Sequence, residues 1–219
     1  IEKAKILEKS KKYNSALENY KISIQLSEPN SYIFYRISKC YKKLNNKKLF
    51  IEYIKKALRE EPGNEKAWIY LIKFYLKKNN LRQSKYLAKK ALDNNHNSIK
   101  ILKLNALISR SVGNKVEAIR NYKEIIDVQE NQSWKIWKSL LKCILEIQEW
   151  PELLRLSLRA KKYFPNKSFL DFIISGCLLK NGKLNEAIYF FQSGSKSSKI
   201  PTKLSKSFPE FKENKKLLV

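Results

Sequence analysis

The stretch EKAWIYLIKFYLKKNNLRQSKYLAKKAL, residues 65–92, carries two helical patterns back to back. The first places Trp68, Leu71 and Tyr75 three and four residues apart, the spacing that puts side chains on one helix face. Asn79-Asn80 interrupts it. The second pattern then sets Ser84, Ala88 and Ala91 on one face, and all three are small enough to let another helix come close. Two amphipathic helices with a short turn between them make a hairpin.

The second-helix triplet recurs along the chain. Ala16-Tyr20-Ser23, Phe50-Ile54-Ala57, Ser84-Ala88-Ala91, Ala118-Tyr122-Ile125, Leu153-Ser157-Ala160 and Ala187-Phe191-Gly194 begin 34, 34, 34, 35 and 34 residues apart. The first-helix pattern recurs too, as Phe34-x2-Ile37-x3-Tyr41 and Trp137-x2-Leu140-x3-Ile144. Asn45-Asn46, Gly113-Asn114 and Asn181-Gly182 supply further turns within units. Pro62 and Pro165 close two of the units, and Pro29 closes the first one residue late. A hairpin of this size cannot bury its apolar face alone, so neighbours must stack on one another.

Period and motif resemble the tetratricopeptide repeat, with its first-helix aromatic, its small second-helix residue and its closing proline. The resemblance implies an all-α fold, a right-handed α-solenoid of stacked helix-turn-helix units. The expected repeats span residues 1–30, 31–64, 65–98, 99–133, 134–167 and 168–200. The fourth and sixth carry Leu102 and Asp171 in place of the first aromatic, and the consensus glycine is absent. Residues 201–219 are expected to form a capping helix, a linker tail or both, since Ile200-Pro201 breaks the last helix. The tail reading begins at Phe208-Pro209. The first unit starts in mid-pattern at Ile1, and terminal repeats need polar caps, so the chain is expected to be a fragment of a longer protein.

Composition narrows the chemistry. The 219 residues include 46 Lys plus Arg against 20 Asp plus Glu, a formal charge of +26, with one His and three Cys. At 43% hydrophobic, the chain has too much apolar surface to remain a disordered polycation. The longest apolar run, Phe169 to Leu179, is broken by Asp171, so no membrane span is expected. Cys40, Cys143 and Cys177 all stand tenth in the first helix of their units, where other units have Phe74 and Ile108. They read as packing residues in a reducing, cytoplasmic compartment. His96 lies in an Asn-rich turn with no partner at ligand spacing. Glu149 and Glu152 flank Trp150-Pro151, which reads as a turn and a helix start. No catalytic residue, metal ligand or cofactor is expected.

The resemblance also implies a groove. First helices of this family line a concave face with the second, fifth, sixth and ninth residues of each unit. In the four complete inner units those places hold Tyr32, Tyr35, Arg36 and Lys39; Lys66, Ile69, Tyr70 and Lys73; Lys100, Lys103, Leu104 and Leu107; and Lys135, Lys138, Ser139 and Lys142. Nine of these 16 are basic and none is acidic. A/T-rich codons also favour Lys, Asn and Ile, so bulk charge alone locates nothing. The missing acids are the sharper signal.

The candidate binding residues are therefore Tyr35, Arg36, Lys39, Lys66, Tyr70, Lys73, Lys100, Lys103, Lys135, Lys138 and Lys142. The expected role is a non-catalytic scaffold that holds an acidic partner, either an acidic protein segment or an anionic polymer. Two alternatives stand beside it. One is an accessory domain of a glycosyltransferase or surface-polysaccharide enzyme that retains an anionic glycan; the other is nonspecific nucleic-acid binding, with a glycan favoured over a nucleic acid. The Lys-Asn-Arg clamp by which some relatives hold chaperone C-termini is disfavoured. Its fifth, ninth and following sixth places hold Tyr35, Lys39 and Tyr70, with no asparagine in the asparagine positions.

Overall fold

A computed structural model describes residues 1–26 and 30–213. Pro29 and residues 214–219 lie outside the described residues. The chain divides into two compact units, residues 1–112 and 113–219. Unit 1 holds α1 (Glu2–Lys9), α2 (Tyr13–Leu26), α3 (Ser31–Lys43), α4 (Lys47–Glu60), α5 (Glu65–Lys77), α6 (Leu81–Asn94) and α7 (Ile99–Ser111). Unit 2 holds α8 (Lys115–Val128), α9 (Trp134–Ile147), α10 (Trp150–Tyr163), α11 (Ser168–Lys180), α12 (Leu184–Ser197) and two short helices, α13 (Thr202–Ser207) and α14 (Glu210–Glu213). No strand occurs among the described residues. Consecutive helices pack on one another from α1 to α7 and from α8 to α12; in unit 1 α5 also packs on α7, and in unit 2 α14 packs on α11.

The asparagines have two backbone duties. Asn30, Asn64 and Ser98 cap α3, α5 and α7, and Asn46, Asn80 and Asn114 cap α4, α6 and α8. In each case the side-chain oxygen accepts a hydrogen bond from the backbone N–H three residues on, satisfying a donor that the first turn leaves orphaned. The second duty is conformational. Lys11, Asn45, Asn79, Gly113, Gln148 and Gly182 have φ between 55° and 79°, and they follow one another at the same 34- or 35-residue spacing as the triplets. Each ends the first helix of its repeat in the left-handed region. In four turns the next N–H reaches back five residues, as from Asn46 to Tyr41 at 2.9 Å and from Asn80 to Tyr75 at 3.0 Å. That bond is the mark of a Schellman-type stop.

Packing follows the triplets. All their members are buried except Ser23, which is partly exposed. In unit 1 the Phe50 ring is fully buried and meets Phe74 at 4.6 Å and Tyr70 at 5.5 Å, so a second-helix aromatic fills the space beside the next first helix. Replacing such a ring by alanine costs about 3–5 kcal/mol. The residues standing where the repeat consensus has glycine (Ala4, Ser38, Ile72, Ala106, Leu141 and Ser175) are all buried. In α11, Ser175 donates to the Ala187 carbonyl at 2.8 Å and ties α11 to α12.

Residues 202–213 are packed. Phe208 and Phe211 are buried, at ring distances of 5.3 Å from Trp150 and Phe191 respectively. Gly176 makes room for Phe208, because a Cβ there would lie 2.5 Å from the ring. Within the segment expected to be a capping helix, a linker tail or both, residues 202–213 thus form two short packed helices. Two exposed-looking aromatics are anchors for a cap.

Near the start of unit 1, Glu8 ties α1 to α3. Its carboxylate holds Arg36 at 2.7 Å and Lys39 at 3.2 Å. Tyr20 completes the cluster: Arg36 Nε donates to its hydroxyl, which donates to Glu8. The Glu8 and Arg36 side chains are largely buried, so this pair is screened less than a surface bridge.

Gly113 has no heavy atom within 4 Å of a built Cβ, so Gly113→Ala reports backbone strain alone and should lower stability by about 1 kcal/mol. Gln148→Gly should raise it by about as much, both read from denaturant midpoints. Glu8→Gln keeps the shape but removes the charge, leaving Arg36 without its counterion. Chemical denaturation should show a loss of roughly 1–3 kcal/mol.

Candidate functional site

The sequence-derived site residues fall on four first helices. In unit 1, α3 carries Tyr35, Arg36 and Lys39, α5 carries Lys66, Tyr70 and Lys73, and α7 carries Lys100 and Lys103. Tyr35 meets Tyr70 edge-on at 5.9 Å, bringing α3 and α5 together. Lys100 reaches Glu65 at 2.9 Å, which links α7 to α5. In unit 2, Lys135, Lys138 and Lys142 lie on α9 at spacings of three and four residues, hence on one face.

These groups are not equally available. Arg36 and Lys39 are engaged by Glu8, and Lys100 by Glu65. Glu65 is held below the usual carboxylate range, first by a hydrogen bond from Ser98 and then by Lys100. Three of the nine groove bases are thus partly spent on the fold. No ion pair among the described residues involves Lys66, Lys73 or Lys103 of unit 1, or Lys135, Lys138 or Lys142 of unit 2; Lys138 lies 5.4 Å over the Phe169 ring. The tyrosines are half-buried. Burial pushes the Tyr70 hydroxyl up to about 12 and also raises that of Tyr35, so both remain neutral donors at ordinary pH.

A second basic feature lies at the turn end of α3 and α5, and most of its lysines stand outside the four groove places. Lys39, Lys42, Lys43 and Lys47 of α3 and α4, with Lys77 and Lys78 at the end of α5, line a cavity of about 880 Å³. Phe50, Tyr70, Phe74 and Asn45 complete its wall. The Lys42 ammonium sits 4.0 Å over the Tyr70 ring, and Lys78 lies 5.6 Å over Phe74. Apart from Lys39, which holds a ninth place, the sequence overlay passed over these lysines because they fall after the ninth place of each unit. The paired runs Lys42-Lys43 and Lys77-Lys78 were the available signal.

Groups that looked chemically active have structural surroundings. Cys40, Cys143 and Cys177 are buried thiols; burial pushes Cys40 and Cys177 up to about 12, far from the thiolate a nucleophile needs. Glu152 is held at about 2 by Arg155 and Lys123, so it is a fixed anion rather than a proton donor near neutrality. Asp171 is buried against Lys161 at 2.6 Å. His96 is exposed in its turn. Among the described residues, no cluster of three His, Cys, Asp or Glu could hold a metal, and no helix is long and apolar enough to cross a membrane.

No family model matches the sequence, and no curated protein does. Solved structures do match the fold. YrrB, described as a tetratricopeptide-repeat protein with an unusual peptide-binding site, superposes with a TM-score of 0.62 at 11% identity, over 90% of this chain and all of its own. The C-terminal part of a repeat-containing protein from Cytophaga hutchinsonii gives 0.60 at 16% identity, over 90% of this chain and 78% of that one. MamA gives 0.57 at 14% identity, over 84% and 95%. At these identities the likeness is one of architecture. The periodic triplets, the recurring left-handed turns and these superpositions together establish that the chain has the all-α tetratricopeptide-repeat fold, with about six repeats.

Proposed function

We propose that this chain is a non-catalytic binding module whose first-helix face holds an extended acidic protein segment. The observation that carries the reading is the set Lys66, Lys73 and Lys103, three lysines on α5 and α7 with no carboxylate partner among the described residues. An unpaired ammonium row favours a ligand with spaced negative charges, because each new pair forms without first breaking an internal one. Tyr35 and Tyr70 add half-buried hydroxyls for the backbone of a bound segment. Lys135, Lys138 and Lys142 offer a second basic row on α9 of unit 2.

A peptide-like occupant is favoured by the peptide-binding site described for the structural neighbour YrrB. Repeat solenoids bind extended chains along their stacked helices. The buried Cys40 and Cys177 and the salt-bridged Glu152 supply neither a nucleophile nor a proton donor. Anionic glycan and single-stranded RNA are the competing occupants.

Fluorescence anisotropy with a labelled Asp/Glu-rich peptide tests this. Reversal of Lys66, Lys73 and Lys103 to Glu should weaken binding by roughly 10–100-fold with helicity unchanged, at about 0.5–1 kcal/mol per exposed charge. Reversal of Lys55, Lys89 and Lys90 on the second helices should cost much less. Equal losses from the two sets would leave only bulk charge. Stronger binding of an acidic glycan or RNA than of the peptide, measured at about 50 and 200 mM salt, would reassign the occupant.

A further inference from the structure

The cavity between α3, α4 and α5 asks for an explanation that the first-helix row does not supply. Six lysines (Lys39, Lys42, Lys43, Lys47, Lys77 and Lys78) converge on about 880 Å³ of space. Among the described residues, the one ion pair made by any of them is Lys39 with Glu8. Some of this charge has a local cause. Lys42, Lys43 and Lys77 lie in the last turns of α3 and α5, where a cation is favoured by the helix dipole. Lys47 has the opposite placement, in the first turn of α4, where the dipole disfavours it. Its positive charge acts on Lys78, whose pKa it lowers. Helix-end electrostatics therefore account for three of the six and count against a fourth.

The repulsion is visible in the lysines themselves. Burial lowers the pKa of Lys42, and the positive charges of Lys77, Lys43 and Lys73 lower it further. Lys47 lowers that of Lys78. The aromatic faces of Tyr70, Phe50 and Phe74 give Lys42 and Lys78 partial compensation. A ring quadrupole is a weak substitute for an anion.

We propose that this cavity is a binding site for a compact polyanion bearing clustered phosphates, distinct from the acidic segment held along the first helices. The donor set selects the class. All six cations are ammonium groups, compact point charges of the kind that bind phosphate oxygens, and six of them on one cavity ask for more negative charge than one or two carboxylates carry. The volume suits a small molecule rather than a chain. Binding would relieve the Lys47–Lys78 and Lys42–Lys77 repulsions at once, so affinity rises with the number of phosphates in one ligand. The inference stands whether or not Lys66, Lys73 and Lys103 hold an acidic segment.

Isothermal titration with inorganic tripolyphosphate and, separately, inositol hexakisphosphate distinguishes a linear from a ring-borne phosphate cluster. At constant ionic strength, at least one should bind at one per chain, and at least ~10-fold more tightly than monophosphate. Lys47→Ala, Lys77→Ala and Lys78→Ala combined, all exposed positions, should weaken it by ~10-fold or more with the circular dichroism spectrum unchanged. The control Lys3→Ala, Lys12→Ala and Lys89→Ala should bind as the parent does. Absence of binding by both probes, several ligands per chain, or equal weakening in the control would overturn the proposal.

Discussion

A helix of thirteen or fourteen residues joined to another by a two- or three-residue turn has more apolar surface than one partner can cover. That constraint governs the rest of this structure. Each hairpin must be covered by the next, so the same few residues return every 34 or 35 positions. Small residues allow the backbones to approach, and rings such as Phe50 occupy the space between repeats. A left-handed residue stops each first helix and turns the chain back. After the sixth repeat, Phe208 packs against Trp150 and Gly176, and Phe211 against Phe191.

The same stacking organises the charge. First helices are brought side by side, so lysines far apart in sequence become neighbours. Part of this charge is neutralised by the fold, through Glu8 and Glu65, which sit just outside the positions at which the basic row is read. The remainder gathers in two different ways. Lys66, Lys73 and Lys103 are spread along the helices, whereas Lys42, Lys43, Lys47, Lys77 and Lys78 crowd round one cavity over an aromatic wall. Spacing separates the two: an extended anion fits the first arrangement and a compact one the second.

The architecture was legible because its signal is repeated. One triplet of small and aromatic residues is weak evidence, but six in phase leave little freedom. The turns were partly legible. Asn45, Asn79, Gly113 and Gly182 belong to residue types that tolerate positive φ, whereas Lys11 and Gln148 reveal their role only by register. Phe208 and Phe211 were hidden because the cap is not a seventh repeat and obeys no period. The candidate site was less legible for a physical reason. Reading four positions per complete unit shows which side chains share a face but not which carboxylate reaches across to them, and Glu8 lies in the incomplete first unit. Nor does the pattern show that turn-end lysines of adjacent repeats share a cavity, since that depends on three-dimensional convergence at the helix ends.

The central claim is that this protein holds positive charge which its own fold leaves uncompensated, concentrated at defined places. The most direct measurement is an NMR titration of the lysine side-chain amines in the ligand-free protein, reading Lys42 and Lys78 individually. The account predicts that both titrate below the ordinary lysine value of 10.5, Lys42 through burial and its cationic neighbours and Lys78 through Lys47. Values at or above 10.5 for both would mean that their charges are already balanced, and would contradict it.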